Sequence, residues 1–290
     1  MTAATGPAPG PATGPETGRA TGQDTGSARG PGFGRLMLSE WTKLRSVRST
    51  VWSLVLLVVL SVGFTALFTT LTVSGWENLQ EQDRAAAVAD PTSMILGGGF
   101  FLSQLTVCVL GVMVIASEYS TGMIRSSLLA VPRRLPMLGA KAVVFWLLVF
   151  VLGVAVSFTS FSVGALILHD KAPVSLGDPG VLRAVVGGGL YLSTLGLFAL
   201  ALGAVIRHTA AAITGVIGFV LVLAPLSQLI PGSAGEHIHA YLPSEAGSLI
   251  AKAHQGPADL LTPWQGYGVF CIWTVVLLVV AAVLLKRRDA

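Results

Sequence analysis

A polar run from Ser117 to Arg134 interrupts the second and third apolar stretches of this chain, and its residue types suit mechanical rather than covalent chemistry. Glu118 closes one apolar helix, and Gly122 lets the backbone turn. Ile124, Leu128 and Val131 then recur at i, i+4 and i+7, the spacing of one helical face. Pro132 stops that short helix. Arg133, Arg134 and, further on, Lys141 give the segment the basic bias of a cytoplasmic loop, so a soluble partner could grip it there. A plain positive-inside loop would carry the same charge, and both readings stand.

Other residues that do chemistry elsewhere are sparse. His237, His239, His254 and Glu236 fall in one loop, but their spacing matches no standard ligand motif, and no metal is expected. No G-x-x-x-x-G-K-[ST] loop occurs to cradle nucleotide phosphates, and no H-E-x-x-H pair occurs to hold a catalytic metal. Cys108 and Cys271 both fall within apolar stretches and read as core residues rather than a disulfide or a catalytic thiol. No catalytic residue is assigned, and an enzyme is not expected.

The elements that must position the polar run are membrane helices. Of 290 residues 53% are apolar and 11% charged, with a mean hydropathy of +0.75, against roughly 25% charged in an average soluble protein. Six stretches are long enough to cross a hydrocarbon core of ~30 Å as helices. They run near Thr50 to Val73, Ile95 to Ala116, Ala142 to Leu168, Val181 to Ile206, Ala210 to Ile230 and Tyr267 to Leu285. Only Arg207, His208 and Thr209 separate the fourth from the fifth. The expected fold class is an all-α membrane protein of six transmembrane helices with an N-terminal amphipathic surface helix.

Charge sets the expected orientation. Placing both termini and the second and fourth loops in the cytosol puts 14 of 18 Lys and Arg residues inside. Arg84, Lys171, Arg183 and Lys252 remain outside. The chain is thus expected to be a multi-pass protein of the plasma membrane with both termini cytoplasmic. The net charge of +4 then reflects topology, and no interleaving of basic and aromatic residues points to nucleic acid.

Residues 1–33 differ in kind. Units such as Ala4-Thr-Gly-Pro7 and Ala12-Thr-Gly-Pro15 repeat every four residues without large apolar side chains, which predicts a disordered tether. The first apolar stretch, at about 24 residues, exceeds a signal-peptide core of roughly 7 to 15, so the first span is expected to stay in the mature protein. Residues 34–49 form the expected interfacial helix. On it Met37, Trp41 and Leu44 share a face, Ser39, Thr42, Lys43 and Ser46 lie opposite, and Arg45 and Arg48 can meet anionic lipid headgroups. Residues 50–285 form the six-helix domain, and 286–290 a basic tail.

Within the spans no acid or base stands at midplane depth. Arg183 lies near one end of the fourth and Glu118 just beyond the second. Ion-coupled transporters usually keep such groups there, despite a cost of roughly 2.5 to 3.5 kcal/mol each. The remaining polarity is Ser103, Gln104 and Thr106 in the second span, Ser157, Thr159, Ser160 and Ser162 in the third, and Ser193 and Thr194 in the fourth. Ser103, Gln104, Thr106, Ser193 and Thr194 are candidates for a substrate path, although hydroxyls in membranes more often bond their own helix or glue helices together. Gly97 to Gly99, Gly187 to Gly189, and Ala199 with Gly203 read first as sites of close helix approach.

The order of parts resembles the permease subunit of type-2 ATP-binding-cassette exporters, in particular the short actinobacterial permeases. The likeness covers Leu36 to Ala290 and rests on a surface helix containing Glu40-Trp-Thr-Lys-Leu-Arg45, six spans, and Glu118-x-x-x-Gly122 running to Pro132-Arg-Arg134. It implies a coupling helix that docks on a separate cytosolic ATP-binding subunit, with ATP and Mg bound by that partner and no cofactor on this chain. It also implies a second permease half, as homodimer or heterodimer. Glu118, Gly122, Ile124, Arg125, Leu128, Pro132, Arg133 and Arg134 would be the coupling positions, and Trp41, Lys43, Leu44 and Arg45 the bracing helix. The expected function is ATP-driven efflux of an amphipathic or lipid-like compound. The alternatives are an ATPase-independent secondary transporter and an intramembrane enzyme. The Pro231 to Trp264 loop is expected to form a lid, with Ser244 as a helix N-cap and Glu245 in the first turn.

Overall fold

A computed structural model of the chain describes residues 6, 32–120, 134–256 and 259–287. Among them there are helices and no strands. Helix α1 (Phe33–Ser46) breaks at Val47, whose backbone is extended, and α2 (Arg48–Ser74) starts at once. A 3-10 turn at Trp76–Asn78 and the short α3 (Glu81–Ala89) lead to α4 (Pro91–Ser120). Next come α5 (Arg134–Leu168) and α6 (Val181–Ile206). Helix α7 (Thr209–Ser227) follows, then α8 (Ser233–Tyr241), α9 (Pro243–Ser248) and α10 (Pro263–Arg287).

Helices α2, α4, α5, α6, α7 and α10 are long and apolar enough to cross a membrane, and the chain is a multi-pass membrane protein. All six expected spans are present with shifted ends. The basic residues Lys286 and Arg287 belong to the last turn of α10 rather than to a tail, where cations face the negative end of the helix dipole. The four-residue repeats, Gly6 apart, and residues 288–290 lie outside the described residues.

Local chemistry explains the ends. Pro91 and Pro263 both open helices, where a missing N–H is no loss. Asp90 Oδ1 accepts from the Ser93 N–H at 3.1 Å as the N-cap of α4. Before α10, Thr262 and Gln265 form a reciprocal capping box, with bonds of 3.0 and 3.3 Å. Between α6 and α7 the chain turns through Arg207, the one described non-glycine residue with positive φ (59°), and His208 Nδ1 caps α7 by accepting from the Ala211 N–H. The Arg207 guanidinium lies over the Tyr119 ring at 5.1 Å from its centre.

Helix α6 is the axis of the bundle, with 72% of its most apolar window buried, and α4 follows at 61%. Helices α2, α7 and α10 bury only 17–22% and carry the outward apolar faces. Gly98, Gly99, Gly187 to Gly189 and Gly203 serve close approach, as expected, whereas Gly97 does not, since a Cβ there would meet nothing within 4 Å. A Cβ at Gly111 would strike the Gly196 carbonyl, and one at Gly99 the Ser61 carbonyl. Tyr191 and Phe198 pack against Phe270 at the centre in tilted pairs with centroids 5.5 and 6.3 Å apart.

The described residues of the Pro231 to Trp264 loop fold back into the end of the bundle opposite α1. Pro243, not Ser244, takes the first helical position of α9 behind Leu242, so the expected Ser244 cap is corrected. A proline fits the first position better than any residue that must leave its N–H unpaired. Glu245 does sit in the first turn. Ala246, Gly247 and Ile250 are buried, and Gly187 of α6 admits the Ile250 carbonyl where any side chain would collide.

Candidate functional site

At the α1 end, four charged side chains from three helices converge. Lys141 Nζ donates to Glu40 Oε2 at 2.6 Å and to Glu118 Oε1 at 2.8 Å, and Lys43 Nζ lies 2.7 Å from Glu40 Oε1 and 3.6 Å from Glu118 Oε1. Glu40, Glu118 and Lys141 are 3–4% exposed. Two acids and two bases cancel in charge, which lets Glu40, Glu118 and Lys141 stay out of water while Lys43 closes the group from its half-buried edge. Burial works to raise the Glu40 carboxyl, but Lys141 and then Lys43 override it and hold it below its ordinary value. Burial likewise works to lower the Lys43 amine, and Glu40 with Glu118 hold it above its ordinary value.

Lys141, expected with the basic residues of a loop, belongs instead to a helix. Helix α5 starts at Arg134, so Lys141 stands two turns inside it. The missed signal was a lone lysine between Ala140 and Ala142, at the threshold of an unbroken apolar run. The face of α1 is corrected too. Leu36, Glu40 and Leu44 are buried, whereas Trp41 is 40% exposed and Met37 half-buried. The buried acid wins over the aromatic because its partners wait on α4 and α5. Lys43 meets the cluster, and Arg45 is exposed.

Of the expected coupling positions, Glu118 enters the cluster. Gly122, Ile124, Arg125, Leu128, Pro132 and Arg133 lie outside the described residues, and Arg134 is the first residue of α5. Glu118 and Lys141 therefore stand on the two helices that flank residues 121–133.

Toward the other end, a cleft of about 400 Å³ opens between α4, α6, α7 and α9. Leu96, Phe100, Phe101, Val220 and Leu221 make it apolar, and Gln104, Glu245 and Lys252 add polarity. Ser93, Tyr191 and Ser244 also line it, and their buried hydroxyl oxygens have no hydrogen-bond partner among the described residues. Buried hydroxyls are ordinarily paired, so three unpaired ones beside one cleft make it a candidate site for a polar group. Val220 and Leu221 lie on a π-helical turn, Gly218–Val222, of the kind that recurs at functional sites.

Among the expected path residues, Gln104 lines this cleft. Ser103, Thr106 and Ser193 instead bond carbonyls of their own helices at 2.8–2.9 Å, and Thr194 pairs with Tyr267 Oη at 3.0 Å. In the lid loop, His237 bonds the Ser233 carbonyl at 2.7 Å and His239 the Ser227 hydroxyl at 2.9 Å. Among the described residues no three His, Cys, Asp or Glu side chains group as a metal site would require. Comparison of the chain with protein-family models and with curated proteins finds no match.

Proposed function

We propose that this chain is the membrane-spanning permease subunit of an ATP-driven exporter, moving an amphipathic or lipid-like compound at the expense of ATP bound and hydrolysed by a separate cytosolic subunit. A second permease half, identical or related, completes the assembly in the plasma membrane, and the α1 end faces the cytosol. The observation that carries the reading is the charge cluster. Glu40 and Lys43 of α1 pair with Glu118 and Lys141, which stand on the helices before and after residues 121–133. A push on that segment would reach α4, α5 and α1 together, because parting α4 or α5 from the others leaves a buried charge unpaired, and parting α1 breaks the Glu40–Lys141 bond. The transported compound would use the aromatic cleft, whose unpaired hydroxyls suit a molecule with an apolar body and a few hydrogen-bonding groups.

The test replaces Ile124 and Leu128 together by Asp, putting charge into the apolar contact with the ATPase. Membrane abundance should hold while ATPase co-purification and ATP-driven efflux fail. Normal co-purification and efflux at normal abundance would sink the proposal.

A further inference from the structure

A second cleft, about 180 Å³, lies beside the charge cluster between α1, α2 and α4. Leu44, Val47, Leu110, Met113 and Val114 form its apolar side. Glu118 lines it as well, and the two oxygens of that carboxylate are treated unequally. Oε1 accepts from Lys141, whereas Oε2 is buried and has no hydrogen-bond partner among the described residues, on a side chain only 5% exposed. A buried anionic oxygen without a donor is costly to leave unmet, and an N–H carried by a cation would meet it best.

The same cleft is lined by Ser46, Val47, Ser49 and Thr50, which surround the start of α2. Val47 supplies no side-chain cap, and the N–H groups of Arg48 and Ser49 have no partner among the described residues. This 27-residue helix therefore turns the positive end of its dipole toward the cleft, and Ser49, which carries one of the two free donors, is part of the lining. Lys43, on the same lining, is half-buried with its ammonium in the cluster. An anion is favoured at this end and an ammonium at the Glu118 end.

We propose that this cleft binds the headgroup of an ethanolamine phospholipid, with its phosphate at the N-terminus of α2 and its ammonium donating to Glu118 Oε2. Its place at the end of the membrane helices, with an apolar side continuing along α4, suits a lipid whose acyl chains remain in the bilayer. A choline headgroup carries the same charges but no N–H, so it satisfies the phosphate end alone. A phosphoglycerol headgroup brings no cation to the carboxylate. The bound headgroup would bridge α2 and α4 beside the cluster. This inference needs only a membrane-embedded chain and is independent of the transport reading.

The test uses the purified full chain, stripped of lipid, with dioleoyl phospholipids bearing ethanolamine, N-methyl, N,N-dimethyl and choline headgroups, and counts bound lipid by native mass spectrometry. Each of the first three keeps an N–H, so affinity should hold across them and fall at least about tenfold at choline, the scale of one hydrogen bond to a charged group. A decline graded with headgroup size, or equal binding of all four, would overturn the proposal. Glu118→Gln, which keeps an acceptor for Lys141, should erase the preference. Ser49→Asp sets a carboxylate where the phosphate belongs while suiting the helix N-terminus, and should weaken all four lipids alike. Unchanged binding by folded Ser49→Asp protein would equally refute the site, and the methylation series stands without either variant.

Discussion

Glu118 and Lys141 lie 2.8 Å apart at the α1 end of the bundle, on the two helices that bracket residues 121–133. Their contact draws the end of α4 against the start of α5, and Glu40 adds α1 to the same point through a 2.6 Å bond to Lys141. One ammonium thus ties three helices.

Lys141→Met should expose how much rests on that ammonium. It leaves Glu40 and Glu118 buried and facing each other with only Lys43 near, and removing one partner from a buried ion pair costs about 3–5 kcal/mol. Unfolding in detergent should show a loss of that size, and hydrogen exchange should show α1 opening before the spans. Adding Glu40→Gln and Glu118→Gln should restore most of the stability. A loss below about 1 kcal/mol, the range of exposed pairs, would mean that the cluster is no anchor.

The docking of α1 should depend on pH at both extremes. Glu40 has a lowered pKa, so its contribution is complete above the ordinary carboxylate value and disappears as pH falls through the lowered one. Lys43 has a raised pKa, so its contribution is complete below the ordinary amine value and disappears as pH rises through the raised one. Proteolysis of α1 should stay slow on a broad plateau around neutral pH and accelerate toward strong acid and strong base. A change within the plateau, near the histidine range, would contradict this assignment.

Gly97 offers a way to fill the aromatic cleft without disturbing the fold. It lines the cleft, and a Cβ built there meets nothing within 4 Å. Gly97→Met should leave stability unchanged or raise it by up to about 1 kcal/mol, the helix propensity of the larger residue. Transport or ligand binding should fall at least about tenfold, since the occupied volume is that of the ligand. Full activity in Gly97→Met membranes would move the path elsewhere.

Tyr191→Phe separates the roles of ring and hydroxyl. The ring is fully buried against Phe100 and Phe270, while the hydroxyl has no partner among the described residues. Removing an unpaired buried hydroxyl should stabilise the ligand-free protein by about 1 kcal/mol or more. Binding of the cleft's ligand should weaken in the same variant. A destabilised variant would show that the hydroxyl is already satisfied within the protein.

Orientation can be read by labelling single cysteines from each side of the membrane in a chain whose Cys108 and Cys271 are replaced. Cysteine at Arg134 should react only from the cytosol, and cysteines at Glu81 and His239 only from outside, as the distribution of basic residues requires. The reverse pattern at Arg134 would overturn the proposed coupling face along with the topology.

The number of spans, their approximate limits and the surface helix were determined by the sequence alone, because each depends on local properties. A run of about 20 apolar residues must bury its backbone polar groups in its own helix once in hydrocarbon, whatever surrounds it. Even the small residues Gly99 and Gly187 could be read as contact points, since only close approach rewards a missing side chain there. Which face of each span turns inward was another matter. Helices that are apolar all round carry little record of direction, so Ser103 and Gln104, adjacent in sequence, gave no sign that one bonds its own helix while the other lines the cleft. The tertiary structure alone decided the role of Lys141. Its carboxylate partners lie 101 and 23 residues away, and a lysine at the threshold of a span looks like any loop cation until the helices that carry Glu40 and Glu118 close around it and exclude water.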